Sequence, residues 1–168
     1  NNMKKIRFEV IGCGYIAKKA FLPAIKLSKY AELIAIASRD IKKSKLEAKN
    51  YNCDYEDSYE SLLKRNDIDA VYISTVPSAH EKNILLAASY GKHILCEKPL
   101  TTTSSSAKNI IQYCEKKNVG LFEGFMYQFH NQHDKINDLV GMGKIGEPIL
   151  FTASFGFPLK DESNYRYK

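Results

Sequence analysis

The 168-residue sequence has no tryptophan, five prolines and four cysteines. It also has no apolar run approaching the roughly 20 residues that a membrane-crossing helix needs. Cys13, Cys53, Cys96 and Cys114 are far apart, with no C-x-x-C pair and no histidine at ligand spacing. This argues against a disulfide scaffold and a structural metal site, and the expectation is no metal, free thiols and a reducing cytoplasm. The opening residues Asn1-Asn2-Met3-Lys4-Lys5 precede a short, strand-like segment rather than the longer apolar core of a signal peptide. Charge of one sign is not concentrated either. The net charge is +6, but the basic residues lie in scattered groups such as Lys4-Lys5, Lys18-Lys19, Lys42-Lys43-Lys45 and Lys116-Lys117. No stripe interleaves them with aromatics, so they read as solvated helix faces, and neither nucleic acid nor a membrane surface is an expected partner.

The most informative stretch is Ile6 to Ala17. A β-branched and aromatic run ends in Gly12-Cys13-Gly14-Tyr15-Ile16-Ala17, and a helical pattern begins at once. This Gly-x-Gly-x-x-Ala arrangement, with a strand before and a helix after, is what a dinucleotide pyrophosphate requires. Gly12 allows the tight exit from the strand, Gly14 lets phosphate approach the backbone, and Ala17 lets the helix pack closely. The free N–H groups and positive dipole end of that helix then hold the charge.

Downstream, apolar runs alternate with helical patterns. Leu33–Ala37, Ala70–Ser74, His93–Cys96 and Val119–Phe122 read as strands, and a short edge strand is expected near Tyr51–Asp54. Between them, helices are expected at Tyr15–Ser28 (bent or broken by Pro23), Asp40–Asn50, Ser58–Arg65 and Ala79–Tyr90. A further helix follows the Thr101–Ser106 cap region, with Ala107, Ile110, Ile111 and Cys114 on one face. The alternation implies a doubly wound parallel α/β sheet whose ligands bind at the carboxyl ends of the strands. Gly12–Ala17, Ser38-Arg39, Thr75 to His80 and Glu97 to Pro99 therefore converge on one edge.

Cofactor choice is made just past the second strand. Ser38-Arg39 suit a 2′-phosphate, because a guanidinium binds phosphate through a planar fork. NADP(H) is favoured on this ground. Asp40 is either a helix cap or a ribose ligand, and the second role would admit NAD(H). Thr75 and Pro77 are placed along the cofactor channel. His80 lies either near the nicotinamide ribose or in a structural role at the start of its helix. Lys98, at a strand end between Glu97 and Pro99, is the candidate catalytic residue. A partly buried ammonium there would hydrogen-bond a substrate oxygen and exchange a proton with it.

From about Glu123 the pattern changes. A helix around Asp134–Leu139, a turn over Gly141–Pro148 and a long strand over Ile149–Phe157 are expected. Together these are too few to close a core. The expected division is therefore a nucleotide-binding domain over 1–123 and the beginning of an incomplete second domain over 124–168.

Four segments together resemble the glucose–fructose oxidoreductase / inositol dehydrogenase (Gfo/Idh/MocA) family. They are Gly12–Ala17, Ala37-Ser38-Arg39-Asp40, Cys96-Glu97-Lys98-Pro99-Leu100 and Glu123-Gly124-Phe125-Met126-Tyr127. The resemblance implies an NAD(P)-binding Rossmann domain followed by an α+β domain for substrate and subunit contacts, with homo-oligomers when full length. It implies Lys98 as the catalytic lysine and a cis Lys98–Pro99 bond. The stretches Phe125–His130 and Glu162–Arg166 are similar to the sugar and dihydrodiol dehydrogenase branch, although Gln128 and Asn131 stand where that branch usually has Arg and Pro. The implied function is hydride transfer between nicotinamide and a CH–OH or C=O group of a sugar, nucleotide sugar or cyclic polyol. The family's glycine-rich segment and its catalytic Asp and His are expected beyond Lys168. A cofactor-binding module without catalysis is the alternative.

Overall fold

The computed structural model describes residues 4–156 and 158. These residues fall into two compact units, one ending at Phe125 and the other beginning at Met126.

The first unit is a six-stranded parallel sheet. Its strands are β1 (Ile6–Ile11), β2 (Ala31–Ala37), β3 (Asp54–Glu56), β4 (Ala70–Ile73), β5 (His93–Cys96) and β6 (Leu121–Glu123), in the spatial order β3-β2-β1-β4-β5-β6. The chain builds outward from β1 to one side, then returns and builds outward from β4 to the other. The β1/β4 boundary is thus the switch point at which such a sheet opens a crevice.

Side-chain alternation along the strands supplies two cores, one on each face. Val10, Ile36 and Tyr72 are side by side in register and bury against Cys13, Ala17 and Leu22. The next residues along, Ile11, Ala37 and Ile73, point to the opposite face with Leu62, Leu63, Ile84 and Ile110. That face is covered by α3 (Tyr59–Leu63), α4 (His80–Ser89) and α5 (Ser104–Lys116). Helix α2 (Ile41–Tyr51) contributes Tyr51 to the first face.

The helix starts follow from local chemistry. Asp40, Ser58 and Thr103 each cap a helix by accepting a backbone N–H, from Lys42 at 3.0 Å, Ser61 at 3.0 Å and Ser106 at 3.1 Å. The helix after the glycine turn departs from a regular α pattern. A π turn over Ala17–Phe21 leads directly into α1 (Leu22–Leu27), with Pro23 in the first α turn. Pro23 has no N–H to give to the preceding turn, so the wider hydrogen-bond spacing falls just ahead of it and the helix continues without a break.

In the second unit, α6 (Asn131–Gly141) follows a 3₁₀ turn at Met126–Phe129. The strand expected over Ile149–Phe157 is not formed at residues 149–156, and Phe157 lies outside the described residues. Ile149 is 98% exposed and Phe151 83%. The reason is physical: a strand is stabilised by ladder partners, and none accompanies this segment among the described residues. Glu162–Arg166 also lie outside the described residues.

Candidate active site

The site begins at the carboxyl end of β1. Gly12 has φ +95°, a conformation that disfavours any residue with a Cβ. A Cβ there would meet the Ser74 carbonyl carbon and oxygen at 3.1 Å and Thr75 Cγ2 at 3.2 Å. At Gly14 it would meet the Ser74 oxygen at 3.2 Å. Both glycines therefore keep the turn pressed against the end of β4 while its outer surface stays clear. The Gly12 N–H donates to the Ala37 carbonyl at 2.9 Å, and the Ser74 hydroxyl donates to the Gly12 carbonyl at 2.8 Å. The first bond of the helix runs from the Lys18 N–H to the Gly14 carbonyl at 3.3 Å, so the N–H groups ahead of it have no helical carbonyl to donate to, which gives the turn its anion-binding character. Tyr15 is exposed, Ile16 half-buried and Ala17 fully buried beneath the helix. Inside the turn, burial pushes the Cys13 thiol up to about 11, so it serves as packing rather than as a nucleophile.

Ser38 and Arg39 emerge next to this turn, because Ala37 is the residue that accepts the Gly12 N–H. Arg39 is exposed. Ser38 Oγ accepts the Asp40 N–H at 3.3 Å, while the Asp40 carboxylate caps α2 and lies 3.8 Å from Lys43 Nζ. Asp40 thus fills the cap role with one carboxylate oxygen, while its side chain stays about half exposed.

On the other side of the switch point, the Glu97 N–H donates to the Ile73 carbonyl at 2.9 Å, placing Glu97-Lys98-Pro99 at the end of β5 beside β4. Glu97 is buried and accepts the Tyr72 hydroxyl at 2.7 Å. Burial, reinforced by this bond, holds the Tyr72 phenol well above its ordinary range, so the hydroxyl remains a donor. Phe21 stacks on Tyr72 with ring centroids 3.8 Å apart. Lys98 is exposed rather than partly buried. The strand ends where it stands, and neighbouring polar groups fix the backbone on either side while leaving the ammonium free to face solvent or ligand. The Lys98–Pro99 peptide is cis.

The remaining predicted residues act on the protein itself. His80 is 1% exposed; Nδ1 lies 2.8 Å from the Pro99 carbonyl oxygen and Nε2 lies 3.0 Å from that of Thr75. The Thr75 carbonyl is thereby occupied, its hydroxyl accepts from Asn83 at 3.1 Å, and its Cγ2 stands 3.2 Å from where a Cβ on Gly12 would lie. Pro77 is half-buried in a 3₁₀ turn. Sequence reasoning missed Ser74, Tyr72, Asn83 and Glu123, the last of which accepts the Leu100 N–H at 2.7 Å. Ser74 carried a legible signal, being the first polar residue after an apolar strand. The others act across elements, which spacing along the chain does not reveal.

Residues 6–125 match the GFO_IDH_MocA model, described as the oxidoreductase family with an NAD-binding Rossmann fold. The chain belongs to this family. A dTDP-3,4-didehydro-2,6-dideoxy-alpha-D-glucose 3-reductase of Saccharopolyspora spinosa is 39% identical over 98% of this chain and 50% of its own length. A D-xylose 1-dehydrogenase (NADP(+)) of Haloferax volcanii is 36% identical over 92% of this chain and 47% of its own. Among solved structures, a mutant 3-ketoreductase from Actinomadura kijaniata, in complex with TDP-benzene and NADP, superimposes with a TM-score of 0.92. It is 37% identical and is matched over 98% of this chain and 51% of its own. The chain thus spans about half the length of the curated relatives it matches. Among the described residues, no helix is long and apolar enough to cross a membrane.

Proposed function

We propose that this chain is the cofactor-binding half of an NADP(H)-dependent oxidoreductase acting on a CH–OH or C=O group of a sugar, nucleotide sugar or cyclic polyol. One observation carries the reading: the parallel strand order brings an open glycine turn at the end of β1 and Lys98 at the end of β5 to the same edge of the sheet, on either side of the end of β4. The turn fits a pyrophosphate: Gly12 and Gly14 let it press against the Ser74 carbonyl, and the helix that begins directly after it offers the N–H groups of its first turn to an anion. Ser38 and Arg39 stand where a 2′-phosphate would be read, and one oxygen of Asp40 is taken up by the cap of α2. The relatives act on sugars and nucleotide sugars, and some bind NADP by name.

When bound, the nicotinamide supplies or accepts a hydride at its C4 position. The residues of this chain do the rest. Lys98 donates a hydrogen bond to the oxygen of the reacting carbon, offsets the negative charge that develops there during reduction, and delivers the proton. Oxidation runs the same steps in reverse. Glu97, held by Tyr72, fixes the strand end from which Lys98 projects.

The four cysteines are free thiols, which supports a reducing cytoplasm. Exposed Ile149, Leu150 and Phe151 support a homo-oligomer or a larger second domain that covers them. Titrating the purified protein with NADPH and NADH, followed by nicotinamide fluorescence, tests the reading. NADPH is expected to bind the more tightly, and absence of binding by either would overturn the assignment.

A further inference from the structure

The Lys98 backbone sits between two residues of unequal anchoring power. Glu97 is fixed by its N–H on β4. Pro99 has no N–H, so its carbonyl is the only backbone hydrogen-bonding group through which that residue can be held. That carbonyl faces Nδ1 of His80, at 2.8 Å, while Nε2 of the same ring faces the Thr75 carbonyl at 3.0 Å. Thr75 directly follows Ser74, whose carbonyl bounds both glycines of the phosphate turn and whose hydroxyl holds the Gly12 carbonyl. One buried imidazole therefore spans from the lysine segment to the strand end supporting the turn.

We propose that His80 is a positioning residue that sets Lys98 at a fixed place relative to the glycine turn, and so relative to the nicotinamide end of a bound NADP(H). The proposal rests on the cofactor reading above. A rigid five-membered ring suits this role better than a flexible side chain, because the separation of its two nitrogens is fixed. Both partners are acceptors, so a singly protonated ring satisfies one of them and a doubly protonated ring satisfies both. Asn83, one helical turn further along α4, holds the Thr75 hydroxyl and keeps that end of the strut stationary. Leu100 closes the segment by donating its N–H to Glu123. With Glu97 pinned on β4, loss of His80 frees Lys98 and Pro99 and leaves the adjoining Leu100 N–H···Glu123 bond easier to open, without dissolving the sheet.

The test compares wild type, His80→Phe and His80→Gln by three readouts. They are amide hydrogen exchange at Leu100, the Kd for NADPH, and the Kd for adenosine 2′,5′-bisphosphate, which probes the adenosine end alone. For His80→Phe, losing a buried hydrogen bond should speed exchange at Leu100 about tenfold and weaken NADPH about tenfold, through displacement of the Glu97–Pro99 backbone rather than loss of the Lys98 side chain. Bisphosphate affinity should stay within about twofold. His80→Gln, whose amide carries two N–H donors, should recover a substantial part of both losses. Unchanged Leu100 exchange and NADPH affinity in His80→Phe would overturn the proposal. So would equal weakening of both ligands, since that marks general damage to the fold. If wild type binds neither ligand, the cofactor reading fails, and Leu100 exchange alone then decides whether the strut exists.

Discussion

Glu9 offers the sharpest quantitative test of how this fold is assembled. It lies in the middle of β1, fully buried, paired in register with Ala35 on one side and Val71 on the other. It shares the face of Ile11, and neither carboxyl oxygen has a hydrogen-bond partner. Desolvation pushes the carboxyl up to about 8, although Lys92 and Arg65 pull in the opposite direction. Lys92 does not relieve it by direct contact, because its ammonium donates to the carbonyls of Arg65 and Ile68. The folded protein therefore keeps a proton on Glu9 that the unfolded chain releases near pH 4.5. The stability associated with the protonated form is fully present below that pH and is lost as pH rises toward 8. At about 1.4 kcal/mol per pH unit across the gap between 4.5 and 8, the full loss is about 5 kcal/mol, of which about 4 kcal/mol falls between pH 5 and pH 9. That is a large part of the 5–15 kcal/mol typical of a domain. Glu9→Gln removes the titration while keeping the shape. In denaturant unfolding at pH 5, 7 and 9, the variant should match wild type at pH 5 and exceed it by roughly 4 kcal/mol at pH 9. Using the difference between the two proteins cancels every other titrating group. A difference that stays flat across this range would refute the account of Glu9 as a neutral, unpartnered acid.

The remaining predictions concern the site and the acid limb of stability. In the full-length protein, Lys98→Ala should lower kcat by about 10² to 10⁴, as for loss of a general acid, while the Kd for NADPH changes little; steady-state kinetics with fluorescence titration checks this, and unchanged turnover removes Lys98 from the reaction. Arg39→Ala should weaken NADPH far more than NADH, measured by paired titrations, and equal losses would refute recognition of a 2′-phosphate. Gly14→Val should abolish binding of both nucleotides, because its side chain would meet the Ser74 carbonyl oxygen, 3.2 Å from a Cβ at this position, and push the turn off the end of β4; retained affinity would show that binding does not need this close approach. At low pH, Asp69 gives a stabilisation of opposite sign to that of Glu9. The Arg7 guanidinium, 2.7 Å away, holds its carboxyl well below the ordinary 3.8, so the stabilisation is present above that pH and disappears as pH falls further. Acid unfolding of Asp69→Asn should lack that component.

Much of the first unit was legible because its signals are local. A glycine with positive φ, an apolar run long enough for one strand and an Asp or Thr ahead of a helical pattern each state their structure within a few residues. Residues 149–156 of the expected Ile149–Phe157 strand do not form it, for the complementary reason. Its apolar and aromatic content meets the side-chain requirement, but a ladder also needs a neighbour, and composition does not supply one. The expected partial burial of Lys98 failed similarly, since exposure depends on what else arrives at a strand end. His80 was ambiguous in sequence because its partners, Thr75 and Pro99, lie 5 and 19 residues away.

From the sequence alone came the glycine turn, the parallel alternation, the family likeness and the candidacy of Lys98, since all of these are written in short-range order and spacing. Tertiary structure alone decided that Ser74 bounds both glycines, that Tyr72 holds Glu97, that His80 spans two strand ends and that Glu9 is buried without a partner. Those facts arise when strands distant in the chain become neighbours in the sheet. They rest on hydrogen bonds and desolvation, which depend on separations of a few ångströms rather than on position along the chain.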